Sequence, residues 1–110
     1  MYKLGFVGCG KMGGAMLGAF LKSGIDADDV LVCDASEEIL AKYRKMKIAV
    51  TDSPADVAAC CRTIFLAVKP QDVDVVAAEV KPLLKPGQTI VSIVAGKTLA
   101  RLRKAIEKLS

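Results

Sequence analysis

The sequence predicts an α/β fold: a doubly wound parallel sheet, expected strand order 3-2-1-4-5, in a three-layer α/β/α arrangement. Three observations predict it. Short apolar runs rich in β-branched residues recur at 4–7, 30–33, 48–50, 64–68 and 90–94, with helix patterns between them. Most of these runs are apolar at successive positions, the pattern of strands buried on both faces. The chain has 110 residues, 53% of them apolar and only 5% aromatic, enough for one domain with an aliphatic core and too few for two.

Each element has local signals. The first strand runs directly into Gly8, and the helix pattern that follows is closed by Gly24. Gly14 and Gly18 lie inside that helix, where each glycine costs about 1 kcal/mol relative to alanine. Close packing of helix on sheet along an i, i+4 stripe is the expected reason. After the second strand, Ser36 precedes Glu37 and Glu38, an N-cap followed by acids suited to a helix N-terminus. After the third, Ser53-Pro54-Ala55-Asp56 supplies an N-cap, a proline at the first helical position and an acid three residues past the cap. Pro86-Gly87 turns the chain into the fifth strand. Thr98 is the expected cap of a last helix, in which Leu99, Leu102, Ile106 and Leu109 recur at helical spacing. No sixth strand follows, whereas a complete two-halved sheet of this type normally has one.

Composition narrows the function. Net charge is +4, sixteen basic residues against twelve acidic, but the basic residues are scattered. The densest group, Arg101, Arg103, Lys104 and Lys108, falls on the solvated face of the last helix. With two tyrosines and no tryptophan, stacking platforms are scarce, and no nucleic-acid partner is expected. The longest uncharged apolar stretch, 12–21, is broken by glycines and too short to span a bilayer, and the start lacks a signal-peptide pattern. No membrane partner and a cytoplasmic location are therefore expected. The cysteines Cys9, Cys33, Cys60 and Cys61 match no zinc spacing, and histidine is absent. Free thiols and no metal are expected.

The residues that carry chemistry begin with Gly8-Cys9-Gly10-Lys11-Met12-Gly13, a G-x-G-x-x-G that follows a strand, opens a helix and lies in a β-α-β unit. Gly8 would permit the tight turn, Gly10 the close approach of backbone to a pyrophosphate, and Gly13 the packing of helix on strand. Unpaired N–H groups and the positive end of the helix dipole would face the phosphates. The spacing thus predicts a Rossmann-type site for NAD(P)H, unless the glycines serve only the turn. Asp34 ends the second strand, twenty-one residues beyond Gly13, where an acid would bond the adenosine ribose hydroxyls. With Glu37 and Glu38 nearby it predicts a modest preference for NADH. Against this, Ser36 could donate to a phosphate, Lys11 or Arg44 could fold over, and Asp34 could be an ordinary turn residue. Ala67-Val68-Lys69-Pro70 and Ala95-Gly96-Lys97-Thr98 lie at the carboxyl ends of the fourth and fifth strands, beside the point where strand order reverses.

At these residues the chain resembles the N-terminal cofactor-binding domain of pyrroline-5-carboxylate reductase. The resemblance rests on Phe6-Val7-Gly8-Cys9-Gly10-Lys11-Met12-Gly13, Phe65-Leu66-Ala67-Val68-Lys69-Pro70 and Ser92-Ile93-Val94-Ala95-Gly96-Lys97-Thr98-Leu99. It implies hydride transfer from NAD(P)H to the C=N bond of 1-pyrroline-5-carboxylate, giving L-proline in proline biosynthesis. By the same resemblance, Gly8 to Gly13 in order would hold the pyrophosphate, Asp34 and Ser36 the adenosine ribose. Ala67, Val68, Lys69, Pro70, Ala95 and Gly96 would border the nicotinamide. Lys11 stands where the family usually has asparagine, and the ribose-reading position varies across the family. The resemblance also implies a C-terminal helical domain that makes a homo-oligomer and supplies the pocket for the small imino-acid substrate. That domain is absent from this chain, which is expected to be a cofactor domain over 1–110, inactive alone. No residue here is assigned a catalytic role, since the cofactor carries the hydride chemistry. Two alternatives remain: the cofactor domain of a hydroxy-acid-type dehydrogenase, and a stand-alone nucleotide-binding or interaction module without catalysis.

Overall fold

Strands apolar at every position need cover on both faces, and the fold supplies it. The computed structural model describes residues 1–92, in which five strands alternate with four helices. In chain order these are β1 (Tyr2–Val7), α1 (Lys11–Lys22), β2 (Val30–Cys33), α2 (Glu37–Lys45), β3 (Ala49–Thr51), α3 (Pro54–Cys60), β4 (Cys61–Leu66), α4 (Val73–Val80) and β5 (Thr89–Ser92). All strand pairs are parallel, and their order is β3-β2-β1-β4-β5. The chain folds into the Rossmann-type α/β sheet that its sequence predicts.

Alternate residues of each strand feed two cores. Leu4, Phe6, Val30, Val32 and Phe65 pack with Leu17 of α1 and Tyr43 of α2. Val7, Leu31, Cys33, Ile64 and Leu66 pack with Val57 and Ala58 of α3 and Val80 of α4. On the first face, Phe6 stacks on Phe65 with ring centroids 5.0 Å apart, and Phe20 meets Phe6 edge-on at 6.4 Å. On the second face, Gly5 of β1 sits where a Cβ would lie 2.5 Å from the Cys61 sulfur and 2.6 Å from Val57 Cγ1. A glycine in the central strand thus lets α3 press onto the sheet.

Several boundaries differ from expectation. β4 begins three residues early, immediately after α3, with no loop between Cys60 and Cys61. A distant side chain makes this junction possible: Gln88 Nε2 donates to Ala58 O at 2.7 Å and Cys61 O at 2.6 Å, satisfying carbonyls a loop would otherwise serve. β4 ends at Leu66 rather than at 68, because Ala67 and Val68 leave the sheet towards the crevice. Ile48 is not in β3; its N–H bonds Tyr43 O and closes α2. The fifth strand is seen only to Ser92, and 93–94, Thr98 and the last helix lie outside the described residues.

The helix caps separate local from tertiary causes. α1 ends as predicted, with Gly24 at φ 107°, its N–H bonding Leu21 O and that of Ile25 bonding Phe20 O. α2 ends with the same two bonds, Lys47 to Arg44 O and Ile48 to Tyr43 O, but with Lys47 at φ 62°. Ser36 caps α2 by accepting from Ile39 N–H at 3.4 Å. Ser53 caps α3 in position only; the Asp56 carboxylate accepts from the Thr51 hydroxyl instead of closing a capping box. The helical glycines are a correction. A Cβ on Gly14 would meet the Tyr43 hydroxyl at 2.9 Å and one on Gly18 would meet nothing within 4 Å, so no i, i+4 stripe packs on the sheet.

Candidate functional site: the crevice at the carboxyl ends of β1, β2 and β4

Where β1 ends, the chain must turn sharply between two neighbouring strands. Gly8 N–H donates to Cys33 O and Ala67 N–H to Val7 O, each at 2.8 Å, so the exit from β1 is held on both sides. Gly8 has φ 85°, and a Cβ there would lie 2.6 Å from Ala67 O. Conformation and space both demand glycine. A Cβ on Gly13 would lie 2.7 Å from Gly8 O, so this glycine lets the helix close down on the turn. Gly10 differs. A Cβ there meets nothing within 4 Å, and Gly10 borders a cavity. The protein itself does not need Gly10 to be small.

Gly10 is the N-cap of α1 and makes no side-chain cap bond; the first helical bond runs from Gly14 N–H to Gly10 O at 2.8 Å. The N–H groups of Lys11, Met12 and Gly13 therefore have no acceptor within their helix. No acid lies in the first turn of α1, whereas α2 carries two and α3 and α4 one each. The positive end of the α1 dipole is left for an outside anion.

The cavity has a volume of about 990 Å³ and opens over the carboxyl ends of β1, β2 and β4. Of the residues singled out in the sequence, Gly8, Gly10, Asp34, Ser36, Ala67, Val68 and Lys69 line it. Cys9 does not. Its side chain is buried, and burial raises its pKa. Cys9 serves the turn through its backbone, whose N–H donates to Asp34 Oδ2 at 2.9 Å. Lys11 is exposed at the first position of α1, Met12 follows it, and Gly13 is buried under the turn. Neither Lys11 nor Gly13 borders the cavity, nor does Pro70, which opens a short 3-10 turn before α4. Ala95 and Gly96 lie outside the described residues.

Sequence reasoning missed the far wall. Ile39 of α2, Pro54 of α3, and Val75 and Val76 of α4 give the cavity apolar sides. Val75 is 62% exposed, a large apolar side chain facing open space. A signal existed for α4: Val73, Val76, Ala77 and Val80 recur at helical spacing, and Val75 breaks that pattern. Asp52, Asp72 and Glu79 also line the cavity, so among the described residues four carboxylates, with Asp34, face one lysine, Lys69. The field reaches the wall behind. Burial, and after it Asp34, Asp52, Asp56 and Glu79, push the Cys33 thiol up to about 12.

All four cysteines are free. Among the described residues no group of three metal-ligating side chains comes together, and no helix is long and apolar enough to cross a membrane.

Residues 3–96 match the family described as NADP oxidoreductase, coenzyme F420-dependent. The chain is 31% identical to pyrroline-5-carboxylate reductase 3 of Bos taurus over 109 residues, covering 98% of this chain and 35% of that protein. In structure it is similar to a pyrroline-5-carboxylate reductase from Coxiella burnetii (TM-score 0.79, 24% identity, 97% of this chain and 40% of that one). It is also similar to the Plasmodium falciparum pyrroline carboxylate reductase solved with NADP bound (TM-score 0.72, 25% identity, 96% of this chain and 38% of that one). The chain thus spans little more than a third of the length of the bovine relative. With a glycine turn, an open helix N-terminus and a crevice at the strand reversal, the chain belongs to the NADP oxidoreductase coenzyme F420-dependent family, as the dinucleotide-binding domain of a pyrroline-5-carboxylate reductase-like protein.

Proposed function

We propose that this chain holds NAD(P)H for a reductase that delivers hydride to the C=N bond of 1-pyrroline-5-carboxylate, giving proline. The observation that carries the cofactor site is Gly10: a glycine with empty space where its Cβ would be, beside a helix N-terminus with no cap. The pyrophosphate would lie over the turn Gly8-Cys9-Gly10-Lys11-Met12-Gly13, against the first-turn N–H groups of Lys11, Met12 and Gly13. Asp34 and Ser36 would take the adenosine ribose, and Ala67, Val68, Lys69 and Pro70, with Ala95 and Gly96, the nicotinamide side. The bound cofactor supplies the hydride; the chain's residues bind and orient it. The imino-acid pocket and the oligomer contacts would come from polypeptide beyond these 110 residues, so the chain alone binds cofactor and turns over little or nothing.

The carboxylate of Asp34, with Glu37 and Glu38 close by in sequence, favours a modest preference for NADH, while Glu37 is partly neutralised by its ion pair with Arg44 at 2.9 Å. A cytoplasmic location agrees with this role. Calorimetric titration with NADH and then NADPH tests the proposal. Binding is expected for both, tighter for NADH, and lost in Gly10→Leu while the folded chain keeps its stability. A folded chain that binds neither cofactor would falsify the site; comparable or tighter NADPH binding overturns the preference.

A further inference from the structure

We infer that Asp34 is a strut as well as a ribose reader: its carboxylate ties the glycine turn to the loop after β2, so that losing it weakens NADH and NADPH binding together. This inference rests on the cofactor site proposed above. Asp34 Oδ2 accepts from Cys9 N–H at 2.9 Å, across 25 residues of sequence, and Oδ1 accepts from Ser36 N–H at 2.9 Å. Both donors are backbone groups, so two charge-assisted bonds hold one carboxylate at fixed points of two loops. Cys9 lies between Gly8 and Gly10, whose backbones have the widest conformational freedom. Its side chain is buried and its N–H is held by Asp34. Ser36 is in turn the cap of α2, so the strut joins the start of α1's turn to the start of α2.

The two roles give opposite results in Asp34→Asn. An amide has one acceptor oxygen and turns an N–H₂ donor towards the second backbone N–H, so one of the two bonds is lost. Were repulsion of a 2′-phosphate the whole role of Asp34, removing its charge would tighten NADPH binding. As a strut, Asp34→Asn loosens the turn under the pyrophosphate common to both cofactors, and both affinities fall, by about tenfold. Titration of the unmodified chain and of Asp34→Asn with NADH and NADPH reads this directly. An unchanged or tighter NADPH affinity in the variant overturns the strut.

A second measurement needs no variant. Scalar couplings across hydrogen bonds, measured by NMR on the labelled, unmodified chain, should connect the amide nitrogens of both Cys9 and Ser36 to the Asp34 carboxyl carbon. Absence of the Cys9 coupling, in a chain that still binds NADH, overturns the strut and leaves the cofactor site standing. Failure of the unmodified chain to bind either cofactor overturns both.

Discussion

The three glycines of the turn have different causes at the residue scale, and substitution should separate them. Gly8→Ala puts a side chain at φ 85° and 2.6 Å from a carbonyl oxygen. It should cost about 2–4 kcal/mol, from the left-handed conformation plus overpacking. Gly10→Ala faces open space and should change stability by less than about 1 kcal/mol. Urea unfolding of both variants checks this, and equal losses would remove the distinction between a folding glycine and a binding one. The thiols divide similarly. Cys9, Cys33 and Cys61 are buried, and Cys60 is exposed. Burial, then the neighbouring Cys60, also lifts Cys61 to about 12. Brief alkylation at pH 8 followed by mass spectrometry should label Cys60 first and the other three only on unfolding; early labelling of Cys33 would contradict its burial.

At the scale of elements, the paired helix ends provide a controlled comparison. α1 and α2 close with the same two bonds, but only α1 has glycine at the left-handed position. Lys47→Gly should therefore stabilise the fold by about 0.5–1 kcal/mol. Gly18→Ala should stabilise by a similar amount, about 1 kcal/mol, because the added methyl meets nothing and the helix gains propensity. Gln88→Ala should do the reverse. Its amide serves Ala58 O and Cys61 O, and its Oε1 accepts from Lys85 N–H. Leaving the part-buried carbonyls of Ala58 and Cys61 unpaired should cost about 1–3 kcal/mol. Thermal unfolding of the three variants measures all of this, and a neutral Gln88→Ala would mean water serves the α3–β4 junction equally well.

For the molecule as a whole, the sheet order matters most. Strand order reverses between β1 and β4: β2 and β3 are laid down on one side of β1, β4 and β5 on the other. The loops after β1, β2 and β4 therefore part and leave the crevice. Binding there stabilises the whole fold by linkage, about 2.7 kcal/mol at a cofactor concentration one hundred times Kd. Alkali should act oppositely. Cys33 and Cys61 titrate near 12 in the folded chain against 9.0 when unperturbed. Between these values the unfolded chain has released protons that the folded chain retains, so stability falls as pH rises from 9 towards 12. Denaturant midpoints across that range should decline, and less so in Cys61→Ser if the variant folds.

The sequence by itself determined the alternation of strand and helix, the parallel sheet and its order, and the glycine turn with Asp34 beyond β2. These depend on short-range rules: strands buried on both faces, caps, φ at Gly24, and a fixed spacing within one β-α-β unit. Only the tertiary structure decided the rest. The apolar wall of the crevice comes from Ile39, Pro54, Val75 and Val76, on three different helices, and no local pattern links them. Gly5 is small because of Val57 on α3 and Cys61 on the neighbouring β4, and Gln88 serves Ala58 O, thirty residues earlier. Asp34 was legible as a position, whereas its grip on Cys9 was not, because that bond exists only once β1 and β2 lie side by side with Val7 opposite Cys33. Contacts between residues distant in sequence are set by packing, and packing is a property of the assembled layers.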